Sequence, residues 1–240
     1  MISKFNTIQR ERGFAANPYP CIGLYRFTTL TLLNHPLYKS IVQKLKDGTG
    51  ETIYLDIGCC FGQDLRQLAQ DGVPSERLIG VDIEGPLMEL GYELFLDRQT
   101  LRSRFVVIDI FKGAAQGPAW TDLEQQGTDI IHCSAFFHLF TLEDQIAAAK
   151  QVAKLVKKGG FIVGRQMGSV KPGDVPAVSE GSMSYRHNPQ TLQSMWDTVG
   201  SSTGTQWKVD GSMDLVGINP NSPVEDDNSR RLLFTITRVA

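Results

Sequence analysis

Cysteine is scarce in this chain, and the four that occur in 240 residues (Cys21, Cys59, Cys60 and Cys133) contain no CxxC pair. That spacing excludes the common zinc and redox-dithiol patterns. Adjacent Cys59 and Cys60 are poor partners for each other, so reduced thiols in an intracellular protein are expected. Long apolar runs are also missing. The most apolar early stretch, Cys21 to Leu33, is interrupted by Arg26 and is shorter than the roughly 20 residues that cross a bilayer. The first ten residues hold no apolar block of signal-peptide length. The expectation is a soluble, cytoplasmic chain with no membrane partner. An excess of one charge is lacking too: 24 Lys and Arg against 26 Asp and Glu leave a net charge of −2. Without a basic field or a run of like charges, nucleic acid is not an expected partner. Internal repeats and low-complexity tracts are absent.

What is present is an alternation of strand and helix signals from about residue 53. Apolar runs ended by turn residues mark strands at Ile53–Ile57, Leu78–Ile83, Phe105–Ile110, Asp129–Cys133 and Phe161–Arg165. Helices are expected at Gly62–Ala69 and Pro86–Leu96. A third should open at Thr141, with Asp144 completing a capping pattern, and close at Lys157-Lys158-Gly159-Gly160. A fourth begins at Asn188-Pro189, with Asn as cap and Pro at the first position, and ends at Gly200. Two late strands, Gln206–Asp210 and Leu232–Arg238, have no long helix between them and can pair antiparallel. The alternation implies an α/β fold with a parallel sheet covered on both faces. Residues 1–50 are expected to form a helical cap over the carboxyl edge of the sheet, and 51–240 a single Rossmann-like domain.

Ligands of such sheets bind beyond the carboxyl ends of the strands. The first strand–helix turn reads Leu55-Asp-Ile-Gly-Cys-Cys-Phe-Gly-Gln-Asp64. Gly58 permits a tight turn, Cys59 follows it, and Gly62 lets backbone approach a ligand as the helix begins. Asp56 can accept hydrogen bonds from a cationic amino group. Asp82 ends the second strand twenty residues after Gly62, where a carboxylate can hold ribose hydroxyls. Asp109 ends the third strand and can accept from an adenine amino group, with Ile83 and Ile110 flanking the ring. Each acid alone reads as an ordinary turn residue; the three in register with a glycine-spaced turn read as a nucleoside site. A nicotinamide dinucleotide needs G-x-G-x-x-G, and here Cys60 and Gln63 stand where two of the three glycines belong. S-adenosylmethionine (SAM), which has no phosphate and carries a sulfonium, suits an acid ahead of the turn.

On these residues the chain resembles the class I SAM-dependent methyltransferases. Their first motif, D/E-x-G-x-G-x-G, is matched at Asp56, Gly58 and Gly62 and departed from at Cys60. More narrowly it resembles fungal methyltransferases of meroterpenoid biosynthesis. The stretches that carry this likeness are Tyr19 to Arg26, Leu55 to Asp64, Asp129 to His132, Phe137 to Phe140, Val163 to Gln166 and Arg186 to Asn188. The resemblance implies a mostly parallel seven-stranded sheet with a reversed last strand, a homodimer, and methylation of oxygen, often a carboxylate, on a polyketide–terpenoid intermediate.

Methyl transfer from a sulfonium needs alignment of the acceptor in a dry pocket. A carboxylate acceptor is ionised at neutral pH and needs only a positioning cation, whereas a phenol or alcohol benefits from a general base. His138, among Phe136, Phe137, Leu139 and Phe140, is the candidate for either role, or else a core histidine. Arg165 can pair with a substrate carboxylate or with a local acid. His187 and Phe137 are placed at the substrate, and Ser134 at the methionine part of the cofactor. His132, inside its strand, is read as structural. Tyr25 and Arg26 can close over the cofactor, Arg26 meeting its carboxylate. A non-catalytic partner protein of the same fold stays open as an alternative at this point.

Overall fold

The computed structural model describes residues 4–47, 52–177, 181–218 and 226–240. The chain divides into two compact units, Met1–Asp109 and Ile110–Ala240.

The first unit begins with three helices, α1 (Lys4–Ala16), α2 (Pro20–Gly23) and α3 (Tyr38–Asp47). It continues with β1 (Tyr54–Ile57), α4 (Gln63–Gln70), β2 (Leu78–Asp82), α5 (Gly85–Phe95) and β3 (Arg104–Val107). Every residue of β1 and β2 is buried, which is why both read as unbroken apolar runs rather than as alternation. The three strands pair in parallel, β2 between β1 and β3. The third strand stops at Val107, three residues short of the expected end, and both of its terminal residues are exposed. A core of Ile22, Phe27, Phe61, Leu87 and Leu90 joins the N-terminal segment to the first turn and to α5.

The second unit holds α6 (Pro118–Gln126), β4 (Thr128–His132), α7 (Leu142–Leu155), β5 (Val156–Ser169), β6 (Gly173–Pro176), β7 (Met183–Arg186), α8 (Pro189–Thr203), β8 (Trp207–Asp214) and β9 (Ser229–Arg238). The Thr141 side chain accepts from the N–H of Asp144 and caps α7. Asn188 and Thr191 form a reciprocal capping box on α8. The Lys157–Gly160 segment does not stop α7 as expected. The helix ends at Leu155 and the chain passes directly into β5. Thr128 of β4 pairs with Val156, while Ile130 pairs with Phe161, so the two glycines belong to a bulge in the strand. The last helix runs three residues beyond Gly200. The β6–β7 hairpin and α6 lie in stretches to which the sequence reading assigns no element.

Among the described residues the large sheet has seven strands in the order β3-β2-β1-β4-β5-β9-β8. The final strand, β9, is antiparallel to both β5 and β8, so the expected reversed last strand is present. No helix of the described residues is long and apolar enough to cross a membrane.

Candidate functional site

The turn between β1 and α4 is built on three left-handed residues: Gly58 (φ 73°), Cys60 (φ 54°) and Gly62 (φ 69°). Glycine adopts this region freely, whereas a cysteine there carries strain of about 1 kcal/mol or more. The departure from the family motif at Cys60 therefore keeps the backbone path and adds strain to it. Two groups hold the turn. On one side Oδ2 of Asp82 accepts the N–H of Cys60 at 2.8 Å. On the other, Nη1 of Arg66 donates to the carbonyl of Phe61 at 2.6 Å and to that of Gly62 at 3.3 Å. The turn also seats on α5, since a Cβ at Gly91 would lie 2.3 Å from the Phe61 carbonyl oxygen. Burial pushes the thiols of Cys59 and Cys60 well up, which favours their neutral form.

The three acids stand at different heights. Asp56 pairs with Gly80, two residues before Asp82, so the second acid lies about 7 Å further toward the carboxyl edge. Asp56 and Asp82 share one face of the sheet. Asp82 pairs with Val107, and Asp109 comes two residues later, half-buried and past the end of β3 rather than in it. Asp56 is buried. The carboxylate of Asp82 accepts a backbone N–H on each oxygen, from Cys60 and from Glu84 at 3.0 Å. That leaves each oxygen a further lone pair for a ribose hydroxyl. Burial raises the pKa of Asp82, against the lowering effect of these N–H donors. Ile83 is 52% exposed, whereas Ile110 is buried, so of the two residues expected around an adenine ring only Ile83 presents a free apolar surface.

The N-terminal segment packs on this turn. The Phe27 and Phe61 rings lie 4.7 Å apart. Asp64 of α4 accepts from the Thr31 hydroxyl at 2.9 Å and the Leu32 N–H at 3.0 Å, and Asn17 donates to Glu84 at 2.8 Å. Tyr25 is itself left-handed (φ 57°) and half-buried, and Arg26 is exposed. Residues of the anticipated cap thus reach the carboxyl end of β2 and the start of α4.

In the second unit the loop after β4 is stitched along β5. The N–H of Cys133 donates to Val163 at 2.9 Å and that of Ala135 to Arg165 at 2.7 Å. The Ser134 hydroxyl, expected at the methionine part of the cofactor, lies 2.7 Å from Nε2 of His132 and accepts the N–H of Arg165 at 3.2 Å. It is engaged within the chain and fixes the loop. His132 is buried beneath it. Nδ1 of His138, half-buried in the short turn Phe137–Leu139, accepts the N–H of Met167 at 2.8 Å. Gln145 donates to the carbonyls of Phe140 (3.0 Å) and Tyr185 (2.8 Å), tying this turn to the β6–β7 hairpin. Arg165 is a half-buried residue of β5, two positions before Met167 and on the same face.

Two expected substrate residues prove to be core. Phe137 is 0% exposed and packs edge-on against Trp196, with ring centres 6.3 Å apart; a side chain with no surface meets no substrate. The aromatics that line the loop surface instead are Phe111, Phe136 and Phe140, stacked edge to face at 5.1 and 5.3 Å. His187 is 1% exposed. Its Nδ1 bonds the Thr191 hydroxyl at 3.0 Å, and burial pushes its pKa down to about 4, so it is a neutral residue beneath the surface. Arg66, Asp97, Gly91 and Gln145, which brace the two loops, carry no sequence signal of that role.

A family model described as a methyltransferase domain matches residues 55–160. O-methyltransferase phiE of a fungal strain is 36% identical over 245 residues, covering 95% of this chain and 80% of that protein. O-methyltransferase atr3 of Stereocaulon alpinum is 36% identical over 240 residues, covering 96% of this chain and 66% of that protein. Among solved structures, the Burkholderia thailandensis 1,6-didemethyltoxoflavin-N1-methyltransferase, with S-adenosylhomocysteine bound, aligns with a TM-score of 0.61 at 14% identity, over 100% of this chain and 92% of that one. The glycine-spaced turn with its strand-end acids is the expected seat of such a nucleoside, and the chain belongs to the fungal class I methyltransferases, with S-adenosylmethionine as its cofactor.

Proposed function

We propose that the chain methylates an oxygen, specifically the carboxylate of a hydrophobic polyketide or terpenoid intermediate of secondary metabolism. Two relatives are named as O-methyltransferases, and a third, nvfJ of Aspergillus novofumigatus, as the asnovolin E/chermesin D methyltransferase. The observation that favours a carboxylate is the bond from the Met167 N–H to Nδ1 of His138. A backbone N–H can only donate, so Nδ1 carries no proton and the neutral ring has its hydrogen on Nε2. In that tautomer Nε2 is a donor, which suits an anionic acceptor oxygen and is the wrong form for a base.

The cofactor supplies an electrophilic methyl group on a good leaving group. In this reading Asp56 takes its amino group, Asp82 its ribose hydroxyls and Asp109 its adenine amino group. Ile83 covers the adenine ring, and Tyr25 and Arg26 close over the methionine end. His138 donates from Nε2 to the acceptor carboxylate and Arg165 supplies the positive charge that orients it. Phe111, Phe136 and Phe140 offer the acceptor an apolar surface. The same reading has the protein as a cytoplasmic homodimer, which light scattering on the purified chain checks for the oligomer. The test of the reaction is a panel of hydrophobic acids and matched phenols incubated with the cofactor. The expected product is the methyl ester, heavier than the acid by one CH2, and it returns the acid on alkaline hydrolysis. An alkali-stable methyl ether from the phenols, with no ester from the acids, overturns the proposal.

A further inference from the structure

Arg66 is a heavily engaged cation of the first unit and plays no part in the reaction described above. Its guanidinium is buried. Nε and Nη2 form a two-point ion pair with Asp97 at 2.6 and 3.0 Å. Three rings surround it, with the guanidinium carbon 5.3 Å from Tyr92, 4.6 Å from Phe95 and 5.5 Å from Phe105. With two nitrogens fixed by Asp97 and its planar face held by aromatics, the third nitrogen has one direction left. It points at the Phe61 and Gly62 carbonyls of the cofactor turn.

These are the carbonyls immediately after Cys60, the one non-glycine left-handed residue of the turn. A strained residue persists only where its surroundings over-determine it. Here the surroundings are Asp82 on the N–H of residue 60 and Arg66 on the carbonyls that follow. A lysine presents a point charge and cannot serve Asp97 bidentately while also reaching the turn.

We propose that Arg66, anchored by Asp97, is a positioning residue for the cofactor: it holds the turn in its binding shape and thereby offsets the strain of a cysteine at position 60. The inference rests on this turn being the seat of the cofactor. It makes a specific claim about coupling: the cofactor affinity depends on Arg66 because residue 60 is not glycine.

The experiment is a double-mutant cycle on the full chain, read by titration with S-adenosylhomocysteine and by denaturant unfolding. Arg66→Lys is expected to raise the Kd about tenfold, the order of one lost charge-assisted hydrogen bond. It should leave the acceptor KM unchanged. In the Cys60→Gly background the same substitution should raise it less than about threefold, since little strain is left to restrain. Asp97→Asn, which keeps the arginine but loosens its anchor, should fall between. Equal losses in both backgrounds, or a lower unfolding midpoint with unaltered Kd, overturn the proposal. Gly58→Val separates the two levels. If it leaves the Kd unchanged, the turn is not the seat of the cofactor. If it raises the Kd while Arg66→Lys does not, the seat stands and only the clamp fails.

Discussion

Nδ1 of His138 accepts the backbone N–H of Met167 at 2.8 Å, and this one bond puts the hydrogen of the neutral ring on Nε2. In the proposed reaction a histidine fixed in this way orients an anionic acceptor rather than acting as a base. Removing the side chain in His138→Ala is expected to lower kcat/KM by about 10- to 100-fold, the worth of one hydrogen bond to a charged group. His138→Gln, which keeps an N–H donor, should recover part of that loss without changing the shape of the pH–rate profile. A loss beyond about a thousandfold that glutamine does not recover is the behaviour of a base.

His187 makes stability depend on pH in a definite sense. Its folded-state pKa is lowered from 6.5 to about 4 by burial. The neutral form is favoured by folding, so its contribution is complete above pH 6.5 and is lost as the pH falls from there toward 4. At pH 5 the loss should reach about 2 kcal/mol. Urea unfolding at pH 7 and pH 5 measures it, and His187→Gln should remove that share of the difference.

If Asp82 holds the cofactor as proposed, affinity and stability should respond to it in opposite senses. Burial raises its pKa, so ionising it in the folded chain opposes folding. Asp82→Asn should therefore cost little stability, no more than about 1 kcal/mol, despite losing a partner for the Cys60 or Glu84 N–H. Cofactor affinity should fall, and the wild-type affinity should decline on acidification at a higher pH than an ordinary aspartate would give. Calorimetric titration across pH, set beside unfolding of the same variant, checks both.

Gly91 is where the turn rests on α5. A methyl group there would meet the Phe61 carbonyl at 2.3 Å. Gly91→Ala is expected to cost about 1–3 kcal/mol through overpacking and to weaken S-adenosylhomocysteine binding, because the displaced carbonyl is one that Arg66 holds. A variant that unfolds like wild type and binds equally well would contradict this account of the turn.

The parts of the fold legible in the sequence are those whose physical cause is local. Strands β1 and β2 are buried on both faces and read as apolar runs, and the helix starts at Thr141 and Asn188 are set by a cap a few residues away. The glycine-spaced turn was legible for the same reason. Strand β5 was cut short because Lys157-Lys158-Gly159-Gly160 carries the chemistry of a helix stop, while the bulge against β4 that uses those residues depends on pairing with a strand nearly thirty residues earlier. The acids at the strand ends can be named from the sequence, but not the bond by which Asp82 holds Cys60. Arg66 was invisible: its anchor, Asp97, is 31 residues away, and an arginine in an amphipathic helix reads as a solvated face. The sequence neighbours of Phe137 and His187 suggest a place at the substrate, and only packing shows that they lie beneath the surface.

Nitrogen NMR of the chain labelled in its histidines reports which ring nitrogen of His138 is protonated. A bare Nδ1 and a hydrogen on Nε2 are expected in the neutral ring, unchanged when a hydrophobic acid binds. A hydrogen on Nδ1, leaving Nε2 open to accept one, would contradict this.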